Sequence, residues 1–169
     1  YDVELLKPSE ITTAKLQDFD AVVIGIRAYN TQDELAFKQE TFFDYVKNGG
    51  TMVVQYNKHR GLITENIAPY PLRLSYDRVT DEFSKVNFLA KDHPVLNTPN
   101  KITKKDFEGW VQERGLYFPD EWSEEFTPIL GMKDEGEEEL KGSLLVANYG
   151  KGHYVYTGLS FFREFPAGV

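Results

Sequence analysis

Apolar residues change their spacing three times along the chain, and each change predicts a different kind of element. In YDVELL (1–6), Val3 and Leu5 alternate with polar neighbours, as in a short strand. PSEITTAKLQDF follows, with Ser9 as an N-cap and Ile11, Leu16 and Phe19 as a thin helical stripe. DAVVIGI (20–26) is nearly continuous, the pattern of a strand covered on both faces in a parallel sheet. TQDELAFKQETFFDYVKNGG (31–50) predicts a second helix. Thr31 and Glu34 make its capping box, Leu35, Phe42, Phe43 and Val46 share one side, and Gly49 and Gly50 stop it. TMVVQY (51–56) is the next buried strand. The order βαβαβ dictates a doubly wound parallel sheet with right-handed crossovers, so the fold class is α/β.

From Asn57 to about Lys105 the periodicity fades into a loop punctuated by proline, as in APYPL and DHPVLNTPN. GWVQERGLYF (109–118) reads as a strand or an irregular insert. Beyond it, FTPILGM, GSLLVANY and HYVYTGL, joined by the acidic turn KDEGEEELKG and the tight turn GKG, predict an antiparallel C-terminal extension. The DEGEEE run is the solvated tip of a hairpin. No repeat or linker divides the chain, so 1–169 is one domain.

Composition narrows the function. A chain of 169 residues with 41% apolar and 14% aromatic residues can bury a core. No apolar run approaches the ~20 residues of a membrane span. A net charge of −8 disfavours nucleic acid as a partner. With no cysteine, the chain has no disulfide, Cys-ligated zinc or cysteine nucleophile. GKG (150–152) lacks the Walker spacing, which removes nucleotide binding. Starting within YDVELL and without Met, the sequence reads as a fragment of a longer protein whose compartment is undetermined.

In open α/β sheets ligands bind beyond the carboxyl ends of the strands, which selects Arg27–Asn30, Tyr56–Arg60 and Ser160–Glu164. These segments carry a resemblance. DAVVIGI, GGTMVV and YGKGHYVYTGLSFFRE resemble the class I glutamine amidotransferase-like fold, a flavodoxin-like architecture. The resemblance puts Asn57 at the nucleophile position, Phe162 at the histidine and Glu164 at the glutamate. Two of three triad members are then absent, and acyl transfer by this route has no chemistry. FDAVVIGIRAYNT, DRVTDE, DHPVLNTPNKIT, DFEGWVQERGLYF and YGKGHYVYTGLSFFREFPAGV resemble the C-terminal region of bacterial PIG-L/LmbE-type deacetylases; ThuA-like proteins, which share a DHP segment, are a more distant analogy. The resemblance implies a deacetylase domain in the same parent chain as partner, and a periplasmic or secreted parent. It also implies a first strand before Tyr1 and a last helix after Val169. The deacetylase zinc motif itself is not in this sequence: His93 is followed by Pro94 and Val95.

The candidate pocket comprises Arg27, Tyr29, Asn57, His59, Arg78, Asp81, His93, Trp110, Glu113, Arg114 and Arg163. Charges set among aromatics are either paired struts for a long loop or a polar pocket suited to a sugar. In the sugar reading, ring faces meet Trp110 or Tyr117, and hydroxyls meet Glu113 and Arg114. Arg27–Asn30 is equally an anion-binding turn or a helix cap. His153 belongs to a surface hairpin and His93 anchors its own loop, so no metal and no cofactor is expected. Three functions stand: a non-catalytic accessory domain that binds carbohydrate or packs on the deacetylase; a hydrolase using His59, His93, Asp81, Glu113 or Glu164; and a purely structural domain.

Overall fold

The computed structural model describes residues 2–168. In chain order it contains a 3₁₀ turn (Pro8–Glu10), α1 (Thr13–Leu16), β1 (Ala21–Ile24), α2 (Ala28–Thr31), a 3₁₀ turn (Asp33–Phe37), α3 (Gln39–Lys47) and β2 (Thr51–Gln55). There follow β3 (Leu72–Val79), β4 (Asn87–Phe88), 3₁₀ turns at Pro94–Leu96 and Lys104–Phe107, β5 (Gly115–Trp122), β6 (Phe126–Pro128), β7 (Leu130–Gly131), β8 (Leu144–Tyr149), β9 (Gly152–Thr157) and α4 (Phe161–Ala167). The main sheet runs β1-β2-β9-β8-β6. β1, β2 and β9 are parallel, and β8 and β6 extend the sheet antiparallel. This is the flavodoxin-like α/β architecture, with its antiparallel part inside the same sheet.

Four elements differ from the sequence reading. Residues 2–6 form no strand: Val3 and Leu5 are 92% and 94% exposed, and alternation alone cannot hold a strand that has nothing to pair with. The 8–19 helix breaks after Glu10, and Thr12, not Ser9, caps α1 by accepting from Lys15 N at 3.2 Å. The 31–50 helix is regular only over α3. Arg27, in a left-handed conformation at φ 56, starts α2 early, so the Thr31 hydroxyl bonds back to Arg27 O at 3.1 Å instead of capping forward. Gly49, at φ 119, does terminate α3. Finally, the 57–105 stretch contains β3, which pairs antiparallel with β5.

The sheet separates two cores. On one side Leu16, Tyr29, Phe42, Val46, Met52, Val54, Leu145, Tyr154 and Tyr156 are buried together. On the other, Val146, Leu144 and Leu159 meet Val79, Leu96, Phe107, Trp110, Phe118 and Ile129 from the long insert. The GKG turn is seated on the end of α3: Lys151 N donates to Lys47 O at 2.9 Å and His153 N to Gly50 O at 3.1 Å. Gly152 has to be glycine, because a Cβ would strike the carbonyls of Val46 and Gly50. In the acidic turn, Glu135 to Glu138 face solvent while Asp134 turns inward to the Thr80–Asp81 backbone.

Candidate functional site

The ends of β1 and β2 are locked together by two asparagines. Asn57 is fully buried; its Oδ1 accepts from Tyr29 N at 3.1 Å and its Nδ2 donates to Gln55 O at 2.7 Å. Asn30 reciprocates, accepting from Lys58 N at 2.8 Å and donating to Lys58 O at 3.0 Å. The amide at the nucleophile position is therefore spent on backbone hydrogen bonds. It holds the turn and presents no reactive group.

Above this platform lies a strip of rings. Tyr56 meets Phe162 at 5.2 Å and Tyr117 at 5.7 Å between centroids, and His59 meets Tyr76 at 3.8 Å and Tyr117 at 5.8 Å. Two bulges put the tyrosines there. In the β3–β5 ribbon Leu74 faces Pro119 and Asp77 faces Phe118, so Ser75 and Tyr76 are extra residues on β3. Between Phe118 and Leu116 the extra residue is Tyr117, at φ 54. The Ser75 hydroxyl repairs the interrupted ladder, donating to Phe118 O at 2.8 Å and accepting from Asp77 N at 2.9 Å. Bulges re-aim side chains, and non-glycine residues at positive φ are strained. Here both devices converge on the strand ends, because Leu116 N donates to Gly158 O at 3.1 Å and docks the ribbon beside the end of β9.

Charge completes the arrangement. Glu113 Oε1 accepts from Arg163 Nε at 2.7 Å and from the Ser160 hydroxyl at 3.2 Å. Arg163 lies over Phe162 at 5.1 Å, and Arg60 over Tyr76 at 5.3 Å. Burial raises the pKa of the Tyr56 hydroxyl; Tyr117 and Glu113 push it further, while Arg27 and Arg163 oppose them. All four groups therefore act on one phenol. Beyond His59 a cleft of about 570 Å³ opens between Leu62, Glu65 and the Leu72–Leu74 and Glu121–Ser123 edges of the ribbon.

Of the eleven candidate residues, Arg27, Asn57, His59, Glu113 and Arg163 gather at this strand end. Tyr29 lies beneath it, its hydroxyl donating to Gln39 Oε1 at 3.3 Å with a pKa raised by burial. The others are elsewhere. Trp110 is 4% exposed, packed on Phe107 and Phe161 with its Nε1 donating to Asp106 O at 2.8 Å, so neither face is open to a sugar. Arg114 is equally buried and ties down the insert, donating to Ser84 O at 2.9 Å and Phe107 O at 2.5 Å. Arg78 pairs loosely with Glu137 at 3.5 Å, and Asp81 closes its own turn on Phe83 N. His93 accepts from Val95 N at 3.1 Å and caps a 3₁₀ turn. Glu164 points into the second core: Oε2 accepts from Val111 N at 3.0 Å and Oε1 is buried without a partner. Among the described residues no three His, Asp or Glu side chains converge to hold a metal ion, so the hydrolase constellation scatters.

Tyr56, Lys58 and Arg60 lie in the Tyr56–Arg60 segment selected from sequence, but Tyr76 was not selected. The signal for Tyr76 was there, in the alternation of Leu72, Leu74 and Tyr76, but the bulge that sets its half-exposed ring against His59 has no motif.

No family model and no curated protein matches the chain. Solved structures do. A cytoplasmic protein of Salmonella typhimurium LT2 superposes with a TM-score of 0.58 at 14% identity, over 94% of this chain and 70% of its own. A ThuA-like protein of Bacteroides uniformis gives 0.50 at 13%, over 92% and 65%. Gan42B, a GH42 β-galactosidase of G. stearothermophilus, gives 0.50 at 14%, over 90% of this chain and 21% of that one. At these identities the likeness is one of fold, and in each case the neighbour is longer than the match. The chain has the ThuA-like, amidotransferase-like fold.

Proposed function

We propose that the chain is a non-catalytic accessory domain of a PIG-L/LmbE-type deacetylase and that it binds carbohydrate at the strand ends. The observation that carries the reading is the pair of bulges that turn Tyr76 and Tyr117 onto the strand-end platform. Ring faces suit the C–H faces of a pyranose, and Glu113, Arg163 and His59 supply convergent polar groups. Loss of chemistry is supported by Asn57, locked by two hydrogen bonds, and by Phe162, whose ring packs at a tilt against Tyr56. The β-galactosidase neighbour offers a parallel, a carbohydrate-active enzyme of which the matched region is about a fifth. Attachment to a deacetylase rests on the sequence motifs alone.

Calorimetric titration with N-acetylated amino sugars and neutral and acidic mono- and oligosaccharides tests this. Binding is expected, and Tyr117→Ala and Tyr76→Ala each weaken it by about fivefold, the ~1 kcal/mol scale of one ring contact. Undiminished binding in both variants, or glutaminase activity in the chain, overturns the reading.

Packing on the catalytic domain is the second reading, and the open edge of β1 favours it. Among the described residues β1 pairs only with β2, and along its free side runs an apolar groove of about 540 Å³, lined by Leu5, Leu6, Ile11, Leu16, Val23 and Phe42. Val23→Lys would abolish co-purification with a co-expressed deacetylase domain without affecting sugar binding; co-purification that survives it removes this reading.

A further inference from the structure

The strand-end platform has a charge opposite to that of the molecule. Residues 25–30, 56–61 and 158–163 hold Arg27, Lys58, Arg60 and Arg163 and no Asp or Glu, in a chain with 27 acidic residues and a net charge of −8. Glu113 reaches this surface from the insert and is taken by Arg163. Arg27, Lys58 and Arg60 form no ion pair among the described residues. The two turns that carry them are held together by the side chains of Asn57 and Asn30. Across His59 the cleft is lined by mixed charge, Glu65, Arg73 and Glu121. A cationic strip against aromatic rings, on an acidic protein, matches a ligand with a flat face and a negative group.

Resting on the carbohydrate reading above, we infer that the site selects a sugar bearing an anionic group, a carboxylate or a phosphate. Tyr76 and Tyr117 take the ring face, and Arg60, whose guanidinium lies over Tyr76 at 5.3 Å, takes the charge, with Lys58 and Arg27 on the adjoining strand ends. Guanidinium and ammonium groups donate charge-assisted hydrogen bonds to such oxygens, the planar fork of Arg60 in a bidentate manner. The His59 Nδ1, buried without a partner beside Tyr76, is a further polar group within this strip.

Titration of the chain with D-glucose, D-glucuronate, glucose 6-phosphate and inorganic phosphate, followed by calorimetry or amide chemical shifts, tests the inference. Glucuronate or glucose 6-phosphate should bind at least about tenfold more tightly than glucose, the scale of one charge-assisted hydrogen bond. Rising salt should narrow the gap, and Arg60→Gln and Lys58→Gln should each reduce it without changing the melting temperature. The comparison of carboxylate with phosphate identifies which anion is preferred. Equal binding of glucose and both acidic sugars overturns the inference while sparing the carbohydrate reading. Inorganic phosphate matching glucose 6-phosphate shows an anion site that ignores the sugar and overturns it. No binding by any of the sugars overturns both.

Discussion

The two cores are built by different means, and the contrast explains where the site lies. The first is assembled from periodic elements: Met52, Val54, Tyr154 and Tyr156 project from paired strands onto Leu16, Phe42 and Val46. Apolar burial does the work, at about 25 cal/mol per Å². The second is built under an insert in which a bulged β3–β5 ribbon is joined by long irregular loops, and polar struts fasten those loops. Arg114 fastens the backbone of Ser84 and Phe107, Glu164 fastens Val111, Asp134 fastens Thr80 and Asp81, and His93 caps its turn. Burial pushes the Asp134 pKa up, but its hydrogen bonds from Asp81 and Thr80 outweigh this and hold it low. An insert fastened in this way can carry bulges and strained residues, such as Tyr76 and Tyr117, that a regular strand would not tolerate.

If that contrast is correct, removing a strut should cost as much as opening a cavity. Arg114→Met leaves the Ser84 and Phe107 carbonyls buried without donors, a loss of roughly 4 kcal/mol. Met52→Ala, in the first core, should cost about 3 kcal/mol as transfer plus cavity energy. Urea unfolding measures both; a loss below about 1 kcal/mol for Arg114→Met would mean that the insert is held by its apolar contacts alone.

Glu164 sharpens the comparison at a smaller scale. Glu164→Leu deprives the Val111 N–H of its acceptor and should cost about 2 kcal/mol, whereas Glu164→Gln keeps a carbonyl oxygen and should cost less than half of that. Equal losses in the two variants would show that charge, and not the hydrogen bond, is what the second core uses.

The smallest effect is in pH. Burial lowers the His93 pKa, and His153 lowers it further. The unfolded chain then binds more protons than the folded one near and below the unperturbed value of about 6.5. Stability contributed by neutral His93 is complete above that value and is lost as pH falls through it toward the folded pKa. His93→Asn keeps an acceptor for Val95 N and does not titrate, so melting curves at pH 7 and pH 5 should lie closer together than in the unsubstituted chain. An unchanged difference would assign the slope to other groups.

Legibility followed the same division. DAVVIGI and TMVVQY predicted β1 and β2 by their unbroken apolar runs. The expectation that both faces of β1 are covered fails: Ile24 is buried while Val23 is 56% exposed, because no layer packs over that face among the described residues. The GKG hairpin and the absence of a cysteine nucleophile were readable one residue at a time. YDVELL misled because alternation reports only what a strand would bury, not whether a partner is present. For Trp110 and Arg114 the sequence left strut and pocket wall both open, since aromatic and charged neighbours look alike in both settings; they are a buried strut and its cover. Tyr76 and Tyr117 lie 41 positions apart in sequence and are brought together by ribbon register and bulges, which no local pattern encodes.

By itself, the sequence determined the α/β class, the parallel order of the first buried strands, the antiparallel extension and the impossibility of cysteine chemistry. These depend on residue type and local period, which are properties of short stretches. Tertiary structure alone decided that Asn57 is a lock, that Glu164 faces away from the strand ends, and that tyrosines from two strands meet beside arginines on an otherwise acidic molecule. Each of these depends on long-range register and on which polar group finds a partner when the chain closes, and that is settled by packing.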